Sequence, residues 1–168
     1  MDKSDSVHNP IVRGFKLTKD EGGVKVNKTY YKQAIGSLMY LTTTLPDMTF
    51  AVSLASRYME NPIALHLQLA KRVLRYLKGT IAFGTFYKKG RIEELVAYTD
   101  NDYAGDVEDR KNTSSYVFLL SSGAVSWSSR KQPVVSLSTT EAEFICCNIM
   151  CMSSGMVKQS VDKTGPGS

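Results

Sequence analysis

The stretch from Leu95 to Phe144 constrains the fold most, because it consists of short apolar runs separated by turn residues. Leu95 to Thr99 is short and largely apolar, as a strand inside a mixed sheet is. From Ser115 to Leu120, large apolar residues alternate with their neighbours with the period of a strand. Two further runs, 124–128 and 134–137, are separated by turn residues that end at Pro133. This stretch therefore predicts a sheet that the chain builds by turning back on itself.

A helix is predicted directly after the sheet. Ser138 and Glu141 match a capping box, in which a hydroxyl and a glutamate three residues later satisfy free amide groups at the helix start. We expect this helix to reach about Val157. From Asp162 onward the sequence ends in glycine and proline, which favours an unstructured tail.

Upstream of the sheet, apolar residues recur with helical spacing in three segments. We expect the first helix to be capped by Thr29, the second to begin at Pro46, and the third to run from about Ile63 to Lys78 and stop at Gly79. Residues 80–90 are predicted as a strand. The predicted organisation is a linker over 1–28, a helical unit over 29–79, a sheet-and-helix unit over 80–157 and a disordered tail over 158–168.

The composition is that of a globular protein and not of a disordered one, with 42% hydrophobic and 22% charged residues among 168. Its three cysteines fall in one predicted helix, so a disulfide framework is not expected. The first ten residues hold two acids and no apolar core, so we expect no signal peptide there. No apolar run approaches the roughly 18 residues that a membrane span needs, so no membrane partner is expected.

The charge is unevenly distributed around a net value of +5. Eight basic residues and one acid lie between Arg57 and Arg91, whereas seven acids and no base lie between Glu93 and Asp109. Lys71, Arg75 and Lys78 fall on one side of the third helix, and two interpretations are open: a stripe that follows a nucleic-acid backbone, or a solvated helix face. His66 lies beside the apolar face of that helix and is interpreted as structural.

Two acids are candidates for metal chemistry. Asp100 directly follows a predicted strand, and Glu143 lies one turn into the predicted helix after the sheet. Two Mg²⁺ ions need several carboxylates that converge from rigid elements. Asp102 and Glu141 are competing candidates, although the capping box already accounts for Glu141. The alternative for each acid is an ordinary surface position.

Five segments carry a family resemblance: 31–41, 70–80, 98–106, 123–133 and 137–144, the last of which is Leu-Ser-Thr-Thr-Glu-Ala-Glu-Phe. They resemble, in the same order, the polyprotein of copia-type retrotransposons. The resemblance implies an α/β fold with a helical connection unit, followed by a truncated RNase H-like mixed sheet with one long helix. It also implies that Asp100 and Glu143 match the first two metal-binding acids of an enzyme that hydrolyses RNA in RNA–DNA hybrids with Mg²⁺.

This sequence also departs from the family pattern. The strand that would carry a third catalytic aspartate is not found downstream, and Asp162 has no strand context. Tyr103 occupies the position of the family's usual tryptophan. We therefore expect a catalytically inactive retrotransposon fragment of the nucleus or cytoplasm. We expect it to have no cofactor, unless RNase H-like activity with Mg²⁺ survives, and an RNA–DNA hybrid as a partner of the basic stripe.

A second, shorter resemblance gives an alternative function. Arg72, Val73, Leu74 and Arg75 match the Arg-x-Leu-Arg translocation pattern of secreted effectors of oomycete plant pathogens. Acidic residues downstream, such as Glu93 and Glu94, loosely resemble the element that often follows this pattern. The alternative is therefore a protein secreted into a host cell, where it binds plant proteins and suppresses defence or cell death. A working Mg²⁺-dependent RNase H is the second alternative.

Overall fold

The computed structural model describes residues 4–12, 14–19, 22–85, 95–121 and 123–163, with side chains described as far as Gly155. The chain divides into two compact units. The helical unit comprises residues 1–86 together with 106–108, and the sheet unit comprises residues 87–105 and 109–168. This division describes packing alone, so the predicted domain boundaries stay predictions.

The described residues form helices first and the sheet afterwards. In chain order the elements are α1 (Lys28–Leu41), a 3₁₀ turn (Pro46–Met48), α2 (Thr49–Ser56), α3 (Ala64–Thr80), β1 (Leu95–Asp102), β2 (Thr113–Leu120), β3 (Gly123–Lys131) and α4 (Thr139–Lys163). The predicted class, an α/β fold with helices before a sheet and one long helix at the end, is confirmed. None of the helices in the described ranges has the length and apolar character needed to cross a bilayer.

The core of the helical unit lies where the apolar faces of its helices meet. In α1 the buried residues Tyr31, Ile35 and Leu38 follow helical spacing, and they pack with buried residues of α2 and α3. The cap of α1 is Asn27 and not Thr29 as predicted, because the Asn27 side chain accepts a hydrogen bond from the Tyr30 amide at 3.0 Å.

Residues before α1 take part in this core. Leu17 is buried, and its carbonyl accepts a hydrogen bond from the Tyr58 hydroxyl at 3.0 Å. Ile11 and Phe15 pack against the same cluster. The segment predicted as a linker therefore contributes apolar side chains to the helical unit.

His66 has a structural role, as predicted. Its side chain is fully buried and stacks on Tyr58 with ring centroids 4.0 Å apart. Nδ1 accepts a hydrogen bond from the Ile63 amide at 3.2 Å, which leaves Nε2–H to donate to the Thr18 carbonyl at 3.0 Å. His66 therefore caps α3 and connects it to the segment before α1.

The sheet unit is a three-stranded antiparallel sheet in the order β1-β2-β3 among the described residues. The register pairs Asp100 of β1 with Ser115 of β2, and Ser115 with Ser129 of β3. Phe118 is the largest buried side chain of the sheet. Helix α4 turns its small buried residues, Ala142 and Cys146, inward at i, i+4 spacing.

Two predicted strands are wrong where the structure describes them. Residues 80–85 are the end of α3 and a turn, because α3 continues through Gly79 to Thr80, whose hydroxyl donates to the Tyr76 carbonyl at 3.2 Å. Residues 86–94 lie outside the described residues. Residues 134–137 are irregular, because Pro133 offers no amide to a neighbouring strand and Ser136 turns inward to a buried hydrogen bond.

The end of α4 also differs from the prediction. The helix continues to Lys163, so residues 158–163 are helical and not part of an unstructured tail. Residues 164–168 lie outside the described residues. The hydroxyls of Ser153 and Ser154 donate to the carbonyls of Ile149 and Cys151, about one turn earlier in the helix, which satisfies these polar groups.

Candidate functional site

Asp100 lies near the end of β1 with an exposed side chain. Its direct neighbour across the sheet is Ser115 of β2, which in turn pairs with Ser129 of β3, and the two serine hydroxyls form a hydrogen bond of 2.9 Å. Because residues directly opposite each other project from the same face, the side chains of these three residues begin on one face of the sheet.

Glu143 lies in the first turns of α4 and is also exposed. Three residues later, Cys146 is buried, and its thiol approaches the carbonyl oxygens of Asp100 at 3.6 Å and of Ser115 at 3.8 Å. Burial raises the pKa of this thiol, although a hydrogen bond with the Ser114 hydroxyl acts in the opposite direction. Through Cys146, α4 therefore packs on β1 and β2 next to the backbone of Asp100 and Ser115.

The two candidate acids nevertheless begin on different sides of the sheet. Ser114 and Ser115 are neighbours in β2, so their side chains project to opposite faces. Helix α4 packs through Cys146 on the face of Ser114, whereas Asp100 shares the face of Ser115. The charge of Asp100 nevertheless raises the pKa of the Cys146 thiol, so Asp100 lies within electrostatic reach of α4. A metal ion bound by both Asp100 and Glu143 would have to sit at the outer edge of β1.

The acids of the described residues do not fit a complete two-metal centre. No group of three or more histidine, cysteine, aspartate or glutamate side chains in these residues is placed to hold a metal ion. A pair of Mg²⁺ ions needs more carboxylates than Asp100 and Glu143 supply. The roles of Asp100 and Glu143 as metal ligands stay predictions.

The two competing acids have structural roles. A Cβ added to Gly105 would lie 1.9 Å from Asp102 Oδ2, so the Asp102 carboxylate folds over the turn that follows β1. The Glu141 carboxylate accepts a hydrogen bond from the Leu137 amide at 2.7 Å, and the Glu141 amide donates to Ser138 Oγ at 3.1 Å. The Ser138 half of the predicted capping box is therefore confirmed, whereas Glu141 accepts from the Leu137 amide and not from the Ser138 amide. Asp100 and Glu143 stay the better candidates.

The basic stripe lies on α3, but part of it is already hydrogen-bonded. Arg75 Nε donates to the Asp5 carbonyl at 2.7 Å, and Lys78 Nζ donates to the Ser4 carbonyl at 3.2 Å. Lys71 is exposed. The segment before α1 therefore runs along the face on which the stripe lies, and nucleic-acid binding by these residues stays a prediction.

The Arg-x-Leu-Arg segment is part of the same helix. Val73 is fully buried and Leu74 packs against the core, so both serve the helical unit. Arg72 Nε donates to the Asn9 carbonyl at 3.1 Å. These four residues therefore form one folded helical turn, and their role in translocation stays a prediction.

A buried polar network centred on Asn112 was not predicted from the sequence. The Asn112 side chain accepts a hydrogen bond from the Ala104 amide at 2.7 Å and donates one to Ser136 Oγ at 2.8 Å. The backbone carbonyl of Asn112 accepts a hydrogen bond from the Gln132 amide at 2.8 Å. The Gln132 side chain donates in turn to Ser114 Oγ. The network joins the turn after β1 to the approach to α4. Its members are common surface types, so the sequence offered no signal for it.

Comparison with known proteins identifies relatives but no solved structure: neither a solved structure nor a protein-family profile matches the chain. The chain is 44% identical over 138 residues to the retrovirus-related Pol polyprotein from transposon RE2 of Arabidopsis thaliana, a match that covers 82% of this chain and 10% of that protein. It is 41% identical over 157 residues to the Pol polyprotein from transposon TNT 1-94 of Nicotiana tabacum, covering 86% of this chain and 11% of that protein.

A third relative is a short protein. The chain is 46% identical over 116 residues to the secreted RxLR effector protein 161 of Plasmopara viticola, a match that covers 68% of this chain and 82% of that protein. By contrast, the chain spans only about a tenth of the length of the Pol polyproteins. These matches confirm the resemblance that the five sequence segments carry, and the chain belongs to the family of copia-type retrotransposon Pol polyproteins.

Proposed function

We propose that this chain is a catalytically inactive, RNase H-like part of a retrotransposon-derived Pol sequence. Asp100 and Glu143 are, in this proposal, the remains of a metal site that cleaved RNA in RNA–DNA hybrids. The family membership supports the origin of the chain, and the placement of the two acids supports the loss of catalysis.

The observation that carries the proposal is the sheet register around Asp100. Asp100 shares a face with Ser115, and α4, which carries Glu143, packs on the face of Ser114. Metal-assisted hydrolysis depends on ligands held in fixed positions around both ions. An exposed carboxylate on β1 and another on a helix that packs on the opposite face of the sheet do not provide such positions by themselves.

The test is cleavage of an end-labelled RNA–DNA hybrid by the purified chain with Mg²⁺ or Mn²⁺. The control is the double variant Asp100→Asn, Glu143→Gln, which removes two charges and preserves the side-chain shapes. We expect the chain and the control to leave the hybrid equally intact. Cleavage by the chain that the double variant lacks would refute the proposal and establish a Mg²⁺-dependent RNase H.

A second candidate function is that of an effector secreted into a plant cell. The observation that favours it is the relative from Plasmopara viticola, which this chain matches over most of that relative's length. Arg72 and Arg75, the two arginines of the translocation pattern, are partly buried on α3. In this function the chain binds host proteins and suppresses defence or cell death.

Transient expression of the chain in leaves treated with a cell-death elicitor tests this second candidate. The matched control is the corresponding segment of the transposon RE2 polyprotein, which has the same family origin. Suppression of cell death by the chain and not by the control supports the effector function. Equal responses to the chain and to the control would rule out the effector function.

A further inference from the structure

A pocket of about 440 Å³ lies in the helical unit, between α3 and the residues Val12 and Phe15. Five residues of α3 line it, and four of them lie at positions i, i+3, i+4 and i+7, which places these four on one helix face. They are Gln68, Lys71, Arg72 and Arg75. The volume falls within the range of about 300 to 1,000 Å³ that is typical of small-molecule sites.

The inner wall of this pocket is apolar. Leu69 is buried in the core, and Phe15 packs against the same core from the segment before α1. Val12 is about half exposed. The Phe15 amide donates to the Val12 carbonyl at 3.1 Å, and Gly14 has a φ of 74°. This left-handed glycine closes the turn that brings both side chains to the pocket.

The pocket combines this apolar wall with three cationic side chains. Arg72 and Arg75 are each held through Nε by a backbone carbonyl, of Asn9 and Asp5, so their guanidinium groups are positioned before any ligand arrives. The ion pairs of the described residues do not include Lys71, Arg72 or Arg75. The terminal nitrogens of each guanidinium form the fork that binds a carboxylate with two hydrogen bonds.

We propose that this pocket binds a small amphipathic carboxylate, with its tail against Val12, Phe15 and Leu69 and its head group at Arg72 and Arg75. Charge complementarity selects an anion, and the apolar wall selects one with a hydrocarbon tail. The site depends on neither of the proposed functions, because it uses no residue of the sheet unit and requires no translocation.

Titration calorimetry of the full chain with sodium octanoate tests the site. Acetate supplies the head group without the tail, and octan-1-ol supplies the tail without the charge. We expect saturable binding of one octanoate per chain, with at least about tenfold weaker binding of acetate and of octan-1-ol. Equal affinities for octanoate and acetate would reveal an anion site without an apolar part and would overturn the proposal.

Variants locate the binding. Arg72→Gln with Arg75→Gln should weaken octanoate binding by about tenfold or more, since charge-assisted hydrogen bonds are lost. Lys71→Gln, at an exposed side chain, should weaken it by a smaller factor without unfolding α3. Lys32→Gln makes the same change of charge on α1, outside the pocket, and should leave binding within about twofold.

Two outcomes of these binding measurements would overturn the proposal. If Lys71→Gln and Lys32→Gln reduce octanoate binding equally, the attraction comes from net charge and not from the pocket. If octanoate does not bind, and an RNA–DNA hybrid binds the chain but not the Arg72→Gln, Arg75→Gln variant, the cationic face serves nucleic acid. Either result overturns the proposed site.

Discussion

At the residue scale, His66 makes the stability of the helical unit depend on pH. Burial lowers its pKa below the usual value, although the Thr18 carbonyl and the charge of Glu108 act in the opposite direction. The unfolded chain therefore binds a proton at His66 more readily than the folded chain does. Its contribution to stability is complete above about pH 6.5 and is lost as the pH falls below that value.

Urea unfolding followed by circular dichroism across this pH range measures the effect. We expect the free energy of unfolding to decrease toward acidic pH in the natural chain and in His8→Gln, where His8 is exposed. His66→Gln should be less stable at neutral pH but should show a smaller decrease on acidification. A decrease as large in His66→Gln as in the natural chain would assign the pH dependence to other groups.

Gly105 is the second residue-scale case, because it lies under a carboxylate. Its missing side chain leaves room for Asp102, and an added Cβ would overlap Asp102 Oδ2. We expect Gly105→Ala to cost about 0.5–1.5 kcal/mol in the free energy of unfolding, because the exposed Asp102 side chain must leave its present rotamer. In α1, Gly36 has open space around an added Cβ, so Gly36→Ala should be neutral or should stabilise by up to about 1 kcal/mol.

A double variant separates the overlap from other effects at Gly105. If the Asp102 carboxylate is the obstacle, Gly105→Ala should cost less in an Asp102→Ala background than alone. Chemical denaturation of the four proteins gives this coupling energy. Strict additivity would show that the cost at Gly105 comes from the backbone and not from Asp102.

At the scale of the elements, Asn112 connects the turn after β1 with the segment that leads into α4. Its fully buried side chain accepts a hydrogen bond from the Ala104 amide and donates one to the Ser136 hydroxyl. We expect Asn112→Ala to destabilise the sheet unit by about 2–3 kcal/mol, because buried polar partners lose their hydrogen bonds. Near-ultraviolet circular dichroism of Trp127 with urea unfolding measures this loss.

Asn148 is a matched control for this variant. Its side chain is exposed on α4 and donates to the Phe144 carbonyl at 3.0 Å. We expect Asn148→Ala to change stability by no more than about 0.5 kcal/mol. Similar losses at Asn112 and Asn148 would contradict the view that the buried network holds these elements together.

At the scale of the whole molecule, the distribution of charge sets the expected salt dependence of nucleic-acid binding. The chain carries a net charge of +5, and the predicted stripe of Lys71, Arg75 and Lys78 lies on α3. Replacing all three by glutamine should weaken binding to an RNA–DNA hybrid. It should also flatten the dependence of affinity on salt, because fewer counterions are released.

Fluorescence anisotropy at several salt concentrations measures this slope. The control replaces the exposed residues Lys25, Lys28 and Lys32 by glutamine, which makes the same change in net charge elsewhere in the helical unit. We expect the control to keep a steeper slope than the stripe variant. Identical slopes would show that Lys71, Arg75 and Lys78 contact no phosphates.

Patterns that depend on near neighbours were predictable from the sequence. Tyr31, Ile35 and Leu38 lie on the buried face of α1, and Ser138 and Glu141 cap α4, because helical spacing and capping involve residues within one or two turns. Residues 134–137 had the composition of a strand but none of its structure. A strand also needs a partner, and Pro133 and the buried Ser136 turn this segment away from one.

The amino-acid sequence alone indicated the helices, the strands β1 to β3, the candidate acids and the family, because these follow from local periodicity and from long runs of matching residues. It also predicted strands at residues 80–90 and 134–137, which the described residues do not form. Only the tertiary structure decided that Asp100 shares a face of the sheet with Ser115 and that Asn112 is buried. It also decided that Arg72 and Arg75 line a pocket with Phe15. The physical reason is that register, burial and pockets arise between segments distant in the chain, where no local preference specifies the partner.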